Sequence, residues 1–267
     1  MAIYGFIGTG NMGGALAKAV CRTVSPAQVL LSNRTPEKAR ALAEALGCRA
    51  VDNQTAAAQA DYLFLGVKPQ MMADMLSGIA KTLAARDTAP VLVTMAAGLS
   101  IENIQRMAGG DYPVIRIMPN TPASIGEGMI LYTAGASVSR EKLDVFLADM
   151  TAAGKFSELP EKLIDAGSAV SGCGPAFVDL FIEALADGGV ACGLPRAKAL
   201  EFAAQTVLGS AKLILESGRH PGELKDAVCS PGGTTIQGVR ILEERGFRAA
   251  SMDAVIAAYE KTVGLKQ

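Results

Sequence analysis

Histidine occurs once in the 267 residues and tryptophan not at all. Chemistry built on a histidine general base therefore has one candidate, His220, which stands just before Pro221 and reads as a helix lead-in rather than a base. The five cysteines, Cys21, Cys48, Cys173, Cys192 and Cys229, are odd in number and scattered, and none falls in a C-x-x-C pair. That spacing disfavours a disulfide framework and a metal site. An excess of one charge is also missing: 25 Lys and Arg stand against 26 Asp and Glu, a net charge of −1. With no basic run and no aromatic-basic interleave, a nucleic-acid partner is not expected. No uninterrupted apolar run reaches 18 residues, and Met1-Ala2-Ile3-Tyr4-Gly5 lacks the basic start of a signal peptide. These absences point to a soluble, cytoplasmic protein with no membrane partner.

What is present is a globular composition, half apolar and 19% charged, with enough chain for two medium domains. The first half alternates short apolar runs with helical stretches. Ile3–Ile7, Val29–Ser32, Tyr62–Val67, Val91–Met95 and Val114–Met118 are rich in β-branched or aromatic residues and are each followed by Gly, Asn or Pro. They read as buried parallel strands. Between them lie segments such as Pro36–Leu46, with proline suited to a first helical turn and Gly47 to a cap. The βαβ alternation predicts a doubly wound, mostly parallel sheet. A strand at Met129–Tyr132, a helix from Ser139 to about Ala152 and a short strand at Phe156 complete this part. From Pro160 on the strand signal disappears, and Pro175–Val190, Pro195–Ser217, Gly232–Arg245 and Ser251–Leu265 read as helices. The boundary is expected at Leu159, giving an α/β domain of residues 1–159 and an all-α domain of residues 160–267. Small residues along these apolar helices suit close packing, either within the chain or between two copies.

Three groups of residues carry chemistry. The first, Gly8-Thr9-Gly10-Asn11-Met12-Gly13, follows the first strand and opens a helix. Gly8 allows the tight turn, Gly10 lets the backbone approach a pyrophosphate, Gly13 lets helix and strand pack closely, and the amides near Asn11 and Met12 face the anion. The second strand ends in Ser32-Asn33-Arg34-Thr35, with no carboxylate to hold the two ribose hydroxyls of NAD. Two hydroxyls, an amide and a guanidinium suit a 2′-phosphate, so NADPH is the expected cofactor, with NADH possible. Asn53, after a further short strand, is placed to reach the adenosine. Later strand ends carry Val67-Lys68-Pro69, Met95-Ala96-Ala97 and Asn120 in Met118-Pro119-Asn120-Thr121-Pro122, all expected to border the cofactor. The last group, Ser230-Pro231-Gly232-Gly233-Thr234-Thr235, leads into a helix. Its Pro-Gly-Gly turn presents free amides beside three hydroxyls, which can hold a carboxylate without a buried cation, although plain N-capping would use the same residue types.

The glycine loop, Val67-Lys68-Pro69, Pro119-Asn120-Thr121-Pro122, Ser171-Gly172-Cys173-Gly174-Pro175-Ala176-Phe177 and the run from Pro221 to Glu243 together resemble pyrroline-5-carboxylate reductases, the enzymes of the last step in proline biosynthesis. The similarity spans nearly the whole chain, and Ser-Pro-Gly-Gly-Thr-Thr is its most specific part. It implies a Rossmann-type domain followed by a helical dimerisation domain that interlocks with its twin, with dimers assembling into larger rings. It implies a substrate pocket between one subunit's nicotinamide and helical elements that include the partner's. It also implies that Ser230, Gly232, Gly233 and Thr234 hold the carboxylate of pyrroline-5-carboxylate and that the Thr235 hydroxyl lies at the ring nitrogen as the catalytic group. Cys173 stands where many relatives have Ser, and Ala227 where some have a polar residue; both adjust contacts rather than remove activity. The chemistry suits a chain poor in histidine. A cyclic imine can arrive protonated and needs one positioned hydroxyl, whereas a 2-hydroxy-acid dehydrogenase needs a base and an arginine clamp. The rival readings are a related imine or β-hydroxyacid reductase and a non-catalytic NADP(H)-binding regulator.

Overall fold

The computed structural model describes residues 1–264. Strands β1 (Tyr4–Ile7), β2 (Val29–Ser32), β3 (Arg49–Ala50), β4 (Tyr62–Leu65), β5 (Val91–Thr94), β6 (Val114–Met118), β7 (Gly128–Ala134) and β8 (Gly154–Glu158) form one sheet in the order 3-2-1-4-5-6-7-8. All neighbours run parallel except β6 and β7. Around the sheet lie α1 (Asn11–Val20), α2 (Pro36–Leu46), α3 (Asn53–Gln59), α4 (Met72–Ala84), α5 (Ile101–Ala108), α6 (Arg140–Asp149) and α7 (Glu161–Ser171). The α/β fold predicted from the alternation is the fold observed.

The central strands read as unbroken apolar runs because both faces of the sheet are covered. Tyr4, Phe6, Tyr62, Phe64, Val91, Val93, Ile115 and Ile117 point to one core, which α1, α2 and α6 close with Leu16, Val20, Ala43 and Phe146. Ile7, Leu63, Leu65, Leu92 and Val114 point to the other, closed from α3, α4 and α5 by Ala56, Leu76, Ile79 and Ile104. Tyr4 stacks on Tyr62 with centroids 5.1 Å apart, and Phe6 on Phe64 at 4.3 Å, which sets the β1–β4 register side by side. Burying one such ring stabilises the fold by roughly 1.5–3 kcal/mol.

Packing joins α7 to the sheet. Arg116, on β6 and 1% exposed, donates from Nη2 to Asp165 at 2.6 Å and from Nη1 to Glu161 at 3.4 Å. Glu161 also accepts the Ile101 amide at 2.7 Å, and Ile164 packs on Met118 and Leu131. The two compact units are therefore Met1–Cys173, together with the chain from Ala258, and Gly174–Ala257. By packing, the boundary falls after α7, whereas the sequence pattern put it at Leu159, where the strands end; a buried ion pair leaves no periodic signal. Asp165→Ala is expected to lower the unfolding free energy by roughly 3 kcal/mol, because it leaves a buried guanidinium with only the longer contact to the half-buried Glu161. A urea midpoint equal to that of the unaltered chain would show that the pair does not anchor α7.

The second unit is made of α8 (Gly174–Ala191), α9 (Arg196–Ser217), α10 (Pro221–Ala227), α11 (Thr234–Glu244) and the start of α12 (Phe247–Gly264). α12 begins before the expected Ser251, because the Ser251 hydroxyl bonds back to the Phe247 carbonyl at 2.8 Å instead of capping. Its expected end, Leu265, lies outside the described residues. The contact between α8 and α9 buries Ala186, Ala199 and Ala203, with Ile182 and Val190 half-buried against them, while Leu180, Leu200, Phe202, Leu208, Leu213 and Leu215 are exposed. Apolar surface on this scale marks an interface. By length and composition the stretch Glu161–Ala191 is also apolar enough to cross a bilayer, although charged residues interrupt it.

Candidate dinucleotide and substrate site

The glycine loop sits at the carboxyl end of the central strand. Gly8 has φ +103°, a conformation that L side chains rarely adopt, and its amide bonds to the Ser32 carbonyl at 2.8 Å. A Cβ on Gly13 or on Gly66 would collide with the Gly8 carbonyl, so α1 and the β4 end close on this turn only as glycines. At Gly10 a Cβ would meet nothing, which leaves open space before the backbone. No side chain caps α1 at Gly10, which leaves the first helical amides, at Asn11 and Met12, without a capping partner. The Thr9 amide donates to Asn33 Oδ1 at 3.2 Å, and its buried hydroxyl has no hydrogen-bond partner among the described residues.

At the end of β2 the Ser32 hydroxyl donates to Asn53 Oδ1 at 2.6 Å, and Asn33 Nδ2 to the Thr35 carbonyl at 3.1 Å. A cavity of about 570 Å³ opens here, lined by Ser32, Asn33, Arg34 and Asn53. Arg34 is exposed, with Nη1 resting 4.0 Å from Met71 Sδ, and Thr35 is exposed at the N-cap of α2, which no side chain caps. Arg40 lines the same cavity and was not foreseen. It lies four residues after Pro36, on the same side of α2, so helical spacing from the strand end carries its signal. Asp52 also lines the cavity but is occupied: its carboxylate accepts the Thr55 amide at 2.7 Å, which caps α3 and holds its pKa below the usual carboxylate range.

The remaining loops divide. Lys68 is exposed at the head of the 3-10 turn Pro69–Met71, and Val67 packs partly on the second core. Met95 and Ala97 are half-buried and Ala96 is buried. Asn120 also has a structural role. Its Nδ2 donates to the Ser171 carbonyl at 3.0 Å, and its Oδ1 accepts the Met129 amide at 2.9 Å. The side chain therefore ties β7 and α7 to the loop, with a second amide proton and lone pair beyond these two bonds.

In the helical unit the Gly233 amide bonds to the Ser230 carbonyl at 3.0 Å, with Gly232 at φ +69°. A Cβ on Gly233 would press on the exposed Ser230 Oγ, which can rotate away, so the position in this turn that favours glycine is Gly232, by its positive φ. Gly233 is the N-cap of α11 and no side chain caps the helix. Ser230, Thr234 and Thr235 are exposed around this uncapped helix start. Plain capping, the alternative use of these residue types, is not what they do. His220 does cap: its Nδ1 accepts the Gly222 amide at 3.0 Å and opens α10.

A glycine turn at the centre of a 3-2-1-4-5-6 order, beside a hydroxyl, amide and guanidinium cluster, defines a dinucleotide-dependent oxidoreductase with an added helical unit. Residues 161–265 match the family described as pyrroline-5-carboxylate reductase dimerisation, and residues 3–98 the family described as NADP oxidoreductase coenzyme F420-dependent. The pyrroline-5-carboxylate reductase of Escherichia coli (strain K12) is 44% identical over 266 residues, 98% of each chain. That of Synechocystis is 44% identical over 261 residues, covering 97% of this chain and 96% of its own. The crystal structure of Plasmodium falciparum pyrroline carboxylate reductase with NADP bound superposes with a TM-score of 0.90 at 30% identity, covering 100% of this chain and 98% of that one. The chain belongs to the pyrroline-5-carboxylate reductase family.

Proposed function

We propose that the chain reduces L-1-pyrroline-5-carboxylate to L-proline with NADPH. The observation that carries this reading is the start of α11, where no side chain caps the helix and the turn through Gly232, at φ +69°, sets the exposed Ser230, Thr234 and Thr235 hydroxyls beside its first amides. Those amides and the Ser230 and Thr234 hydroxyls hold the substrate carboxylate, with the helix dipole favouring the anion. The Thr235 hydroxyl, in the first turn of α11, hydrogen-bonds the ring nitrogen and orients the C=N bond.

The sheet unit fits the cofactor. The open space at Gly10 and the uncapped start of α1 suit a pyrophosphate, and the cavity at Ser32, Asn33, Arg34 and Asn53 suits a phosphorylated ribose. NADPH when bound supplies the hydride; the chain supplies position and fixed dipoles. Val67, Lys68, Pro69, Met95, Ala96, Ala97 and Asn120 form the remaining border. The functional division runs 1–159 and 160–267, one residue before the dimerisation family match begins.

The exposed apolar faces of α8 and α9 meet a second copy of the chain rather than lipid, which makes the protein a cytoplasmic dimer. Rings of dimers follow from the family resemblance alone.

Purified protein is expected to consume NADPH only when pyrroline-5-carboxylate is present, and more slowly with NADH. Consumption with other cyclic imines or keto acids but not with this substrate would favour a related reductase. Tight NADPH binding without turnover on any of them would favour a regulator.

A further inference from the structure

Cys21 and Cys48 belong to no motif and lie 27 positions apart, yet their Sγ atoms are 3.2 Å from one another. Cys21 closes α1, its amide bonded to the Ala17 carbonyl at 3.2 Å. Cys48 follows Gly47, the left-handed cap of α2, and its amide bonds to the Ala43 carbonyl at 2.8 Å. Both are half-buried against the core beneath those helices. Backbone hydrogen bonds thus fix both ends of the contact. Among the described residues no other pair of cysteines is brought together in this way.

We propose that Cys21 and Cys48 form a dithiol site that closes to an intrachain disulfide in the presence of a low-molecular-weight disulfide such as glutathione disulfide. The sulfurs need to approach by about 1 Å to reach bonding distance, which side-chain rotation supplies. Cys48 is the sulfur whose thiolate the neighbouring Cys21 thiol stabilises by hydrogen bonding. Its thiolate attacks one sulfur of glutathione disulfide; that S–S bond breaks, one glutathione thiolate leaves, and a mixed disulfide forms on Cys48. The Cys21 thiolate then attacks the Cys48 sulfur and expels the second glutathione. In sum, two protein thiols are oxidised, one glutathione disulfide is reduced to two glutathiones, and the two thiol protons pass to them. Burial pushes the Cys21 thiol up to about 12 and raises that of Cys48, so closure is slow near neutral pH and quickens as pH rises. The link joins the C-terminal ends of α1 and α2, while the glycine loop and Arg34 lie at their N-terminal ends. NADPH affinity is therefore retained as the unfolded chain loses freedom.

The full-length chain, incubated with glutathione disulfide at mildly alkaline pH and then alkylated, is read by intact mass and peptide mapping. The expected result is a chain that takes two fewer alkyl groups than the reduced control, with about 2 Da lost in forming the bond, and a cross-linked peptide pair containing Cys21 and Cys48, reversed by dithiothreitol before alkylation. C48S is expected to give no such pair. The proposal is overturned if Cys21 and Cys48 stay fully alkylatable while exposed Cys192 is oxidised, or if either links only to another cysteine. The map of the unaltered chain decides the matter even where C48S fails to fold.

Discussion

Arg34→Asp lowers the ratio of kcat/KM for NADPH over that for NADH by about 10²-fold, since losing one charge-assisted hydrogen bond costs about 2 kcal/mol and placing a carboxylate against a phosphate costs roughly 1 more. Arg34 is exposed at the rim of the cavity, which holds these figures at the low end of their ranges. The new carboxylate also gains a role, because it can accept from the ribose hydroxyls of NADH. The change in preference then comes from both cofactors moving in opposite directions, measurable as two separate kcat/KM values. An unchanged ratio would remove Arg34 from cofactor choice and leave Arg40, on the same cavity, as the cation to test.

Thr235→Ala is expected to lower kcat about 10²-fold, the low end for a positioned catalytic group, because the imine nitrogen already carries its proton and the hydroxyl orients the ring by accepting that N–H. NADPH affinity, measured by fluorescence titration, stays as it was, since Thr235 belongs to the helical unit and the cofactor groups to the sheet. Thr235→Ser, which keeps the hydroxyl, recovers most of the rate. A kcat equal to that of the unaltered chain would take Thr235 out of the reaction.

The parts of this molecule that repeat with a fixed period were legible before any coordinates. β1, β2, β4, β5 and β6 show as apolar runs because two faces must be covered, and α2 is bounded by Pro36 and Gly47, where the chain has little choice. The glycine loop was legible for a related reason: Gly8 and Gly13 must lack a side chain at fixed spacing, and Gly10 between them keeps the space before the backbone open. Contacts made by single polar atoms across long separations were not. Arg116 reaches Asp165 across 49 positions and Asn120 reaches Ser171 across 51, and neither pair leaves a trace in local composition. Asn120 stood in a loop rich in ligand-like residues, and only the fold shows its amide turned inward. The pair Cys21 and Cys48 was hidden in the same way, as two members of a scattered set.

The alanine seam between α8 and α9 has a thermodynamic consequence for the whole chain. Three alanines with Ile182 and Val190 half-buried on them remove little surface from water for two helices of 18 and 22 residues. If the exposed leucines are covered when a twin arrives, folding of this half is coupled to association by mass action. Its resistance to heat is then a property of protomer concentration as much as of sequence.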